Sequence, residues 1–319
     1  MEKWLVGVDL GGTTIKFAFI SENGEILFKW VMPTDTSNAG ENIIPDMANS
    51  IVTKLHECQQ NSSKLKGIGI GAPAFMDMGT GFVFEAINLG WRNINLKAEL
   101  EKILSLPVVV DNDANVAALG EMWKGAGVGS KDLLCVTIGT GIGGGVILNG
   151  EIVHGTNGMA GEIGHITVIP ENGLLCNCGK YGCLETISSA TGMVRLAKSG
   201  LDERSDSMLK ARYEELGQLT AKMIFEAALK NDAFALEIVN RASFYLGLAI
   251  ANIANTINPK KIVIGGGVSK AGPIFLEAIC KYFKQFALKR VFEGADLATA
   301  TLGNDAGVIG GAWLVKNKL

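Results

Sequence analysis

The chain has 319 residues, of which 48% are apolar and 19% charged, and its 29 Lys and Arg residues against 32 Asp and Glu give a net charge of −3. This length allows two domains or lobes with sizeable cores, and the composition is typical of an ordered globular protein. No long basic run is present, so the charge pattern points neither to nucleic acid nor to an anionic membrane as a partner.

The sequence begins with a short apolar run that follows Glu2 and Lys3 and is too short for a secretory signal peptide. The longest apolar stretch, residues 136–148, contains five glycines and is too short to cross a bilayer. We therefore expect a cytoplasmic protein. In that compartment the six cysteines stay reduced, which favours metal binding over disulfides.

The first predicted element is a buried strand over residues 4–10, which the motif DLGGTTIK (Asp9 to Lys16) interrupts with a glycine turn. A strand resumes over 16–20, and Asn23-Gly24 predicts a hairpin into a strand over 25–31. In a strand, glycine turn and strand, backbone N–H groups and small hydroxyls can surround a phosphate. Taken alone, the pattern fits an ordinary glycine hairpin better than a phosphate loop.

An internal repeat strengthens the phosphate interpretation. The segment TIGTGIGGGVILNGEI (137–152) follows the plan of DLGGTTIKFAFISENGEI (9–26) at an offset of 126 residues. Each copy has a strand that enters a Gly/Thr turn, a strand that leaves it, and then Asn-Gly-Glu-Ile. Two such hairpins predict two related lobes that face one another across a cleft.

Between the hairpins, the apolar periodicity predicts alternating helices and strands: helices 41–59 and 96–104, and strands 67–71 and 107–110. The last of these strands places Asp111, Asn112 and Asp113 at its carboxyl end, just before a predicted helix over 115–124. Ligands of parallel α/β sheets collect at such strand ends. Asp113 could instead be the N-cap of that helix, but Asp111 could serve as the cap equally well and leave Asp113 free.

Three cysteines and one histidine are close in the sequence: Cys176, Cys178 and Cys183 within eight residues, and His165 eleven residues upstream. Three thiolates and one imidazole are the ligand set of a closed, structural zinc site with no open position for chemistry. The alternative is a cluster of buried or redox-active thiols. A zinc site here would fix the carboxylates of Glu162 and Glu185 on one loop system.

After the cysteines, the sequence predicts four helices, over 190–198, 209–216, 221–230 and 233–256. A strand over 261–264 then opens into Gly265, Gly266 and Gly267, ahead of a helix over 273–287. A triglycine between a strand and a helix permits the close approach of a flat or phosphorylated ligand. A strand over 297–300 and a helix over 306–315 complete the predicted elements.

Together these motifs resemble the ROK family of bacterial sugar kinases and repressors over essentially the whole chain. The resemblance is carried by DLGGTTIK (9–16), DNDAN (111–115), TIGTGIGGGV (137–146), GEIGH (161–165), CNCGKYGCLE (176–185) and IGGGV (264–268). The sequence departs from the family pattern at Ala74, where the family usually has a glycine after the proline of the sugar-side loop.

The resemblance implies an α/β, two-lobed, actin-like or ribonuclease H-like ATPase fold with an inter-lobe cleft and a structural zinc loop. It implies a small lobe over residues 1–113, joined by the C-terminal helix 304–319, and a large lobe with the zinc loop over 114–303. A homodimer or homotetramer is expected, with a small-molecule sugar substrate and no nucleic acid or membrane partner.

The resemblance also implies ATP-dependent phosphorylation of D-glucose at the 6-hydroxyl, with Asp113 as the catalytic base. The expected sugar ligands are Asn112, Asp113, Glu162, His165 and Glu185. The expected ATP and Mg²⁺ residues are Asp9, Gly11, Gly12, Thr13, Thr14, Lys16, Gly139, Thr140, Gly141, Gly265, Gly266 and Gly267. The expected zinc ligands are His165, Cys176, Cys178 and Cys183, and His165 can serve both sites through its two ring nitrogens.

Three alternatives stay open at this point. The chain could be a kinase for fructose, mannose or N-acetylmannosamine, a sugar-responsive repressor of the same family, or a non-catalytic sugar-binding module held together by zinc. Family repressors carry a helix-turn-helix domain in front, whereas the first phosphate strand here begins at residue 4. An intact Asp113 and paired phosphate turns favour an enzyme.

Overall fold

The computed structural model describes residues 2–319, so residue 1 of the predicted small lobe lies outside the described residues. The first part of the chain forms β1 (Trp4–Leu10), β2 (Thr14–Ile20), β3 (Ile26–Pro33), α1 (Ile43–Glu57), β4 (Leu65–Ala72), β5 (Phe75–Asp77), β6 (Phe82–Ala86), β7 (Trp91–Asn95), α2 (Leu96–Leu104), β8 (Val108–Asn112) and α3 (Asp113–Lys124). The second part forms β9 (Leu133–Ile138), β10 (Ile142–Leu148), β11 (Glu151–Ile152), α4 (Glu185–Ser188), α5 (Ala190–Gly200), α6 (Met208–Leu216), α7 (Ala221–Leu229), α8 (Ala233–Ile257), β12 (Lys261–Gly265), α9 (Pro273–Phe286), α10 (Lys289–Gly294), β13 (Asp296–Thr299) and α11 (Ala306–Lys318).

Two five-stranded sheets share one topology. Their strand orders are β3-β2-β1-β4-β8 and β11-β10-β9-β12-β13. In each sheet, three consecutive strands pair antiparallel. A later strand pairs in parallel with the first of these three, and a fifth strand pairs in parallel with that later strand. The repeat seen in the sequence is therefore a repeat of a whole sheet, and the predicted two-lobed α/β fold is confirmed.

The apolar patterning explains why each sheet has its own core. Strand β1 is central in its sheet, and its apolar side chains are buried on both faces. Helix α1 covers that sheet with Ile44, Met47, Ile51 and Leu55, which are buried at the predicted helical spacing. Each such side chain contributes roughly 1.5–3 kcal/mol on burial. The second sheet is covered in the same way by α5, α7, α8 and α9, whose buried residues form one cluster with β9 and β12.

The last helix, α11, packs directly on the first sheet, backbone against backbone. A Cβ on Gly7 would overlap the carbonyl oxygen of Val308, and a Cβ on Gly69 would overlap that of Gly311. Only glycine permits such an approach. Apolar side chains seal the contact around these glycines: Leu5, Ala18 and Ile20 from the sheet, and Val308, Ile309, Ala312 and Val315 from the helix.

A third, three-stranded antiparallel sheet, β5-β6-β7, was not anticipated from the sequence. Its strands are three to five residues long and their burial alternates irregularly, so no local period marks them. The sheet depends on distant packing instead. Trp91 on β7 is almost fully buried, and its Nε1–H donates to the carbonyl of Gly40 at 3.0 Å.

Among the described residues, one helix, α8, is long and apolar enough to cross a membrane. More than half of its most apolar stretch is buried inside the protein, where α8 packs against α7 and α9. Core helices pass the same length and composition test, and these contacts are those of a core helix.

Candidate active site

A cavity of about 560 Å³ is lined from both five-stranded sheets. Asp9 and Lys16 line it from the first glycine hairpin, Gly139 and Gly141 from the second, and Asp113 from the start of α3. Residues of both predicted phosphate hairpins and the predicted base, which are far apart in the sequence, therefore line one cavity.

The first glycine turn joins β1 to β2, and a charged side chain lies on each of these strands. The N–H of Gly11 donates to the carbonyl of Thr14 at 3.1 Å, and the Thr34 hydroxyl donates to the Gly11 carbonyl at 2.6 Å. Lys16 Nζ lies 2.8 Å from Asp9 Oδ2, with both side chains partly exposed to the cavity. The sequence predicted both residues for the site but not this ion pair, which fixes the position of the ammonium group.

The second glycine turn joins β9 to β10 and is held from outside. The N–H of Gly139 donates to the carbonyl of Gly141, and the Gly139 carbonyl accepts from Ala190 N–H, both at 2.9 Å. The N–H of Ile142 donates to Glu185 Oε2 at 2.9 Å. Gly141 lies so near this carboxylate that a Cβ on it would overlap Glu185 Oε2. The turn is thus tied to the segment that follows the cysteines.

The four candidate zinc ligands converge. One ligand atom from each of His165, Cys176, Cys178 and Cys183 lies within 4.8 Å of all the others. Cys176 Sγ is 3.6 Å from His165 Nδ1, and Cys178 Sγ is 3.6 Å from Cys183 Sγ. A tetrahedral ion with bonds of about 2.3 Å to sulfur has edges of about 3.8 Å, so these donors already stand near zinc spacing.

Local backbone chemistry explains how donors so close in sequence converge. Gly179 and Gly182 have φ of 86° and 72°, a left-handed conformation that favours glycine. A Cβ on Gly182 would also overlap the carbonyl oxygen of Ile169. Lys180 Nζ donates to the His165 carbonyl at 2.9 Å, which holds the histidine segment against the cysteine loop.

The ring of His165 faces both the cluster and the cavity. Its Nδ1 points to the cysteines, and its Nε2 lies 3.9 Å from Glu162 Oε2. Burial, together with the two neighbouring thiols, raises the pKa of Cys183 to about 12. Thiolates at this place therefore need a compensating cation, which suits a dication such as zinc.

The junction between β8 and α3 corrects the expectation about the helix cap. The N-cap is Asn112, whose Oδ1 accepts from the N–H groups of Ala114 at 2.9 Å and Asn115 at 3.4 Å. Neither aspartate that the sequence offered as a cap has that role, because β8 extends to Asn112 and α3 begins at Asp113. The predicted sugar ligand Asn112 thus uses its oxygen for the helix and keeps its side-chain NH₂ for other partners.

Asp113 combines burial with neighbouring negative charge. Burial raises the pKa of its carboxyl, the charges of Asp9 and Glu162 add to the effect, and a hydrogen bond from Ala114 N–H opposes it. That hydrogen bond, 2.8 Å long, also orients Oδ1. A carboxylate with a raised pKa is a stronger proton acceptor, which suits a general base.

Next to the second turn, an apolar recess of about 700 Å³ shares Gly139 with the main cavity. Phe225 and Leu229 of α7 line it on one side, and Val268 and Ala271 on the other. The recess offers a flat apolar group a place beside the phosphate turns.

The remaining predicted residues are distributed unevenly. Gly266 and Glu185 line the main cavity, Thr140 and Gly267 line the recess, and Gly265 lines an adjoining space of about 360 Å³. Within the part of the chain that the structure describes, these three walls do not include the following predicted residues: Gly11, Gly12, Thr13, Thr14, Asn112 and Glu162.

Several residues that line the main cavity were not predicted as site residues, among them Asn88, Asn304 and Gly307. A Cβ on Gly12 would lie 3.1 Å from Asn88 Cβ, so this asparagine abuts the first turn. Gly307, at the start of α11, is packed against the side chain of Asp9. Gly303-Asn304 follows the end of β13, so a glycine turn after a strand, the signal used for the triglycine, could have identified this segment as well.

Comparison with known proteins agrees with this geometry. The family model of the ROK family matches residues 5–318. The chain is 57% identical over 317 residues to the glucokinase of Halalkalibacterium halodurans, covering 99% of this chain and 96% of that protein. Its structure is similar, with a TM-score of 0.79 and 35% identity over 98% of each chain, to a ROK family glucokinase from Streptomyces griseus in complex with glucose and AMPPNP. It is also similar, with a TM-score of 0.85 and 26% identity over 98% of this chain and 77% of the other, to a ROK family transcriptional regulator, a homolog of the E. coli MLC protein.

Proposed function

This chain belongs to the ROK family, and we propose that it is a glucokinase, which transfers the γ-phosphoryl group of ATP to the 6-hydroxyl of D-glucose. The observation that carries the proposal is the single cavity that is lined by Asp113, by Asp9 and Lys16 of the first hairpin and by Gly139 and Gly141 of the second turn. The similarity to a glucokinase at 57% identity and to a glucokinase structure with glucose and AMPPNP supports glucose and ATP as the substrates.

In the proposed reaction, Asp113 accepts the proton of the 6-hydroxyl as that oxygen attacks the γ-phosphorus. Its raised pKa suits it for this step. The side chains that surround it would hold the other hydroxyls of the sugar: Asn112 through its NH₂, His165 through Nε2, and the carboxylates of Glu162 and Glu185. Carboxylates and amides are natural partners for neighbouring hydroxyl groups.

The two glycine turns would bind the ATP phosphates through backbone N–H groups, and the Lys16 ammonium would supply positive charge. Phosphoryl transfer asks mainly for this positioning and charge compensation. The carboxylate of Asp9 lines the cavity and pairs with Lys16 through Oδ2 only, so Oδ1 fits an outer-shell, water-mediated contact to Mg²⁺. Bound Mg²⁺ would neutralise charge on the phosphate oxygens.

The apolar recess would take the adenosine end of ATP. It adjoins Gly139 and Thr140 of the second turn and Gly267 of the triglycine, and Phe225 and Val268 give it apolar walls. Adenine is flat and largely apolar, so this recess accommodates it while the phosphates reach the main cavity.

We propose that His165, Cys176, Cys178 and Cys183 bind one structural zinc ion. The support is the convergence of one imidazole nitrogen and three sulfurs near tetrahedral spacing. Zinc in such a closed site contributes folding free energy rather than chemistry. Here it would fix the segment that carries His165 and Glu185 into the cavity.

The organisation around the site is also part of the proposal. Residues 1–113 with 304–319, and residues 114–303, would be the two lobes, and their closure would exclude water from the cavity. The packing of α11 on the first sheet supports this division.

We further propose a cytoplasmic homodimer or homotetramer without nucleic acid or membrane partners. Light scattering on the purified protein would measure its assembly.

The proposed function is tested by measuring kcat/KM for glucose, mannose, fructose and N-acetylmannosamine with Mg-ATP under identical conditions. Glucose should rank first, because the site offers a polar ring for an unmodified pyranose, and buried polar partners reject analogues that leave them unpaired. If fructose or N-acetylmannosamine is preferred by about tenfold, or ~1.4 kcal/mol, the glucokinase assignment fails while the kinase assignment stands. If no hexose is phosphorylated, both fail.

A further inference from the structure

A histidine outside the predicted site makes a partly buried contact with β8, the strand that ends just before Asp113. His154 Nε2 lies 2.7 Å from Asp111 Oδ2. The Asp111 side chain is only 5% exposed, whereas that of His154 is 34% exposed. The two residues are 43 positions apart in the sequence, and neither motif analysis nor the proposed mechanism gives His154 a role.

The carboxylate of Asp111 organises the end of β8 and the first turn of α3. Its Oδ1 accepts from the backbone N–H of Asn112 at 2.7 Å and from Asn115 Nδ2 at 2.9 Å. Asn112 in turn caps α3, whose first residue is Asp113. With His154 on Oδ2, three donors hold the carboxylate, so its position fixes the backbone from which Asp113 projects.

His154 also stands at the beginning of the segment that leads to Glu162. Just before it, Val153 N–H donates to the Val146 carbonyl at 2.9 Å and extends the pairing of the second sheet. Just after it, Ala160 N–H donates to the His154 carbonyl at 3.0 Å and closes the loop. The His154–Asp111 contact therefore links the second sheet and its loop to β8, the edge strand of the first sheet.

The charges around His154 favour its protonated form. The hydrogen bond to Asp111 raises the pKa of His154, burial opposes this, the charge of Asp111 and that of Glu151 add to the increase, and Lys318 lowers it. Glu151 on β11 and Lys318 on α11 are themselves paired. Because the pKa is raised in the folded state, the ion pair is complete at lower pH and weakens as pH rises through that value.

We propose that His154 is a positioning residue, which as an imidazolium binds Asp111 and holds the strand end of Asp113 in register with the segment of Glu162. This inference deepens the proposed phosphoryl transfer and rests on it. Since Asp113 must be ionised and His154 protonated, kcat should have a bell-shaped pH dependence. The acid limb reflects protonation of Asp113, and the basic limb reflects loss of the His154 proton.

The test compares His154→Ala and His154→Gln with the wild-type protein over a range of pH. His154→Ala should lower kcat by about 10- to 100-fold, the scale expected when a reacting group is misplaced by about 1 Å. The KM for ATP should change less than about threefold, because the phosphate turns are untouched. His154→Gln offers Asp111 a neutral N–H donor, as the deprotonated imidazole would, and cannot titrate. It should therefore have at neutral pH the lowered kcat that the wild type reaches at high pH, and it should lack the basic limb.

His56→Gln is the matched control, because His56 lies exposed on α1, and it should leave the profile unchanged. The proposal is overturned if His154→Ala keeps kcat and both limbs, or if His154→Gln keeps the basic limb. If His154→Ala does not fold, the His154→Gln profile alone decides.

A second measurement does not depend on turnover. Imidazole resonances of the protein without substrates, assigned by comparison with His56→Gln and His154→Gln, should show His154 titrating above the ordinary histidine value of about 6.5. A value at or below it contradicts the ion pair. Wild-type turnover of glucose thus tests the proposed function, whereas this titration tests His154 even in a protein that phosphorylates no hexose.

Discussion

The two glycine hairpins have the same backbone plan but different means of support. The two strands beside the first turn carry an aspartate and a lysine, and Lys16 Nζ lies 2.8 Å from Asp9 Oδ2. The second turn, Gly139-Thr140-Gly141, has no charged residue of its own. It is held instead by the carboxylate of Glu185, which accepts a hydrogen bond from Ile142 N–H at 2.9 Å.

The two copies of the repeated hairpin are therefore held in place by different kinds of contact. The ion pair of the first hairpin lies within that hairpin. The second depends on a carboxylate two residues after Cys183, and so on the cysteine cluster. We therefore expect changes at the cluster to disturb the second turn and the sugar side, and to spare the first turn.

The largest effect is expected at Asp113, which belongs to neither hairpin and lies between them. Asp113→Asn should lower kcat by about 10²–10⁴, the scale of a lost general base, while ATP and glucose still bind. Steady-state kinetics and isothermal titration calorimetry measure the two effects. The exposed Asp296→Asn on β13 is the control. Near-normal turnover in Asp113→Asn would show that Asp113 only supports the helix start.

The same variant should be more stable than the wild type at neutral pH. Burial and the charges of Asp9 and Glu162 raise the pKa of Asp113. A carboxyl whose pKa is raised by folding contributes stability that is complete below its unfolded pKa and is lost as pH rises through the folded value. Removing the charge should therefore raise Tm at pH 7, and the gain should shrink as pH falls. A Tm difference between Asp113→Asn and the wild type that stays the same at neutral and at acidic pH would contradict the raised pKa.

The next largest effect is expected at the cluster and tests the dependence of the second hairpin directly. Purified wild-type protein should contain one zinc ion per chain by elemental analysis. Cys178→Ser should lower zinc content and reduce kcat/KM for glucose by about tenfold or more, because Glu185 loses its fixed support. The ion pair of the first hairpin should keep ATP binding close to normal.

Cys58→Ser and Cys280→Ser are the matched controls, because both thiols lie outside the cluster. Neither should change the zinc content or the activity. Full activity in a demonstrably metal-free sample would refute the dependence of the second turn on the metal.

The smallest effect is expected from a methyl group placed between the second turn and its support. Gly141→Ala should raise the KM for glucose by up to about tenfold, because the new Cβ overlaps Glu185 Oε2 and pushes the carboxylate aside. Gly139→Ala is its partner in the same turn, since a Cβ there meets nothing within 4 Å among the described residues. Both variants should keep their zinc. Equal glucose affinity in the two would mean that Glu185 does not hold the sugar.

Strong local periods made much of the fold predictable. The bounds predicted for β1 and α2 are those of the structure, and the glycine-turn repeat correctly indicated two related lobes. The cap of α3 could not be chosen, because Asp111, Asn112 and Asp113 are all good capping residues, and only the length of β8 decides between them.

Contacts between distant residues were beyond prediction for a physical reason. The hydrogen bonds of Glu185 to Ile142 and of His154 to Asp111 each join residues 43 positions apart. Such pairs are set by how the sheets pack, and no local pattern in one sequence records that packing. The small sheet of β5, β6 and β7 was not predicted for the same reason, since its short strands depend on the burial of Trp91.

The packing of α11 on β1 and β4 has a consequence for biosynthesis. Strand β1 ends at Leu10, and α11 begins only at Ala306. At translation rates of about 5–20 residues per second, roughly 15–60 s pass before the helix is made. Throughout that time, the face of the first sheet that carries Leu5, Ala18 and Ile20 has no helix to cover it. The second sheet also waits for this helix, because Trp313 and Leu314 join the core cluster of β9, β10 and β12. The last residues to leave the ribosome therefore complete the cores of both sheets.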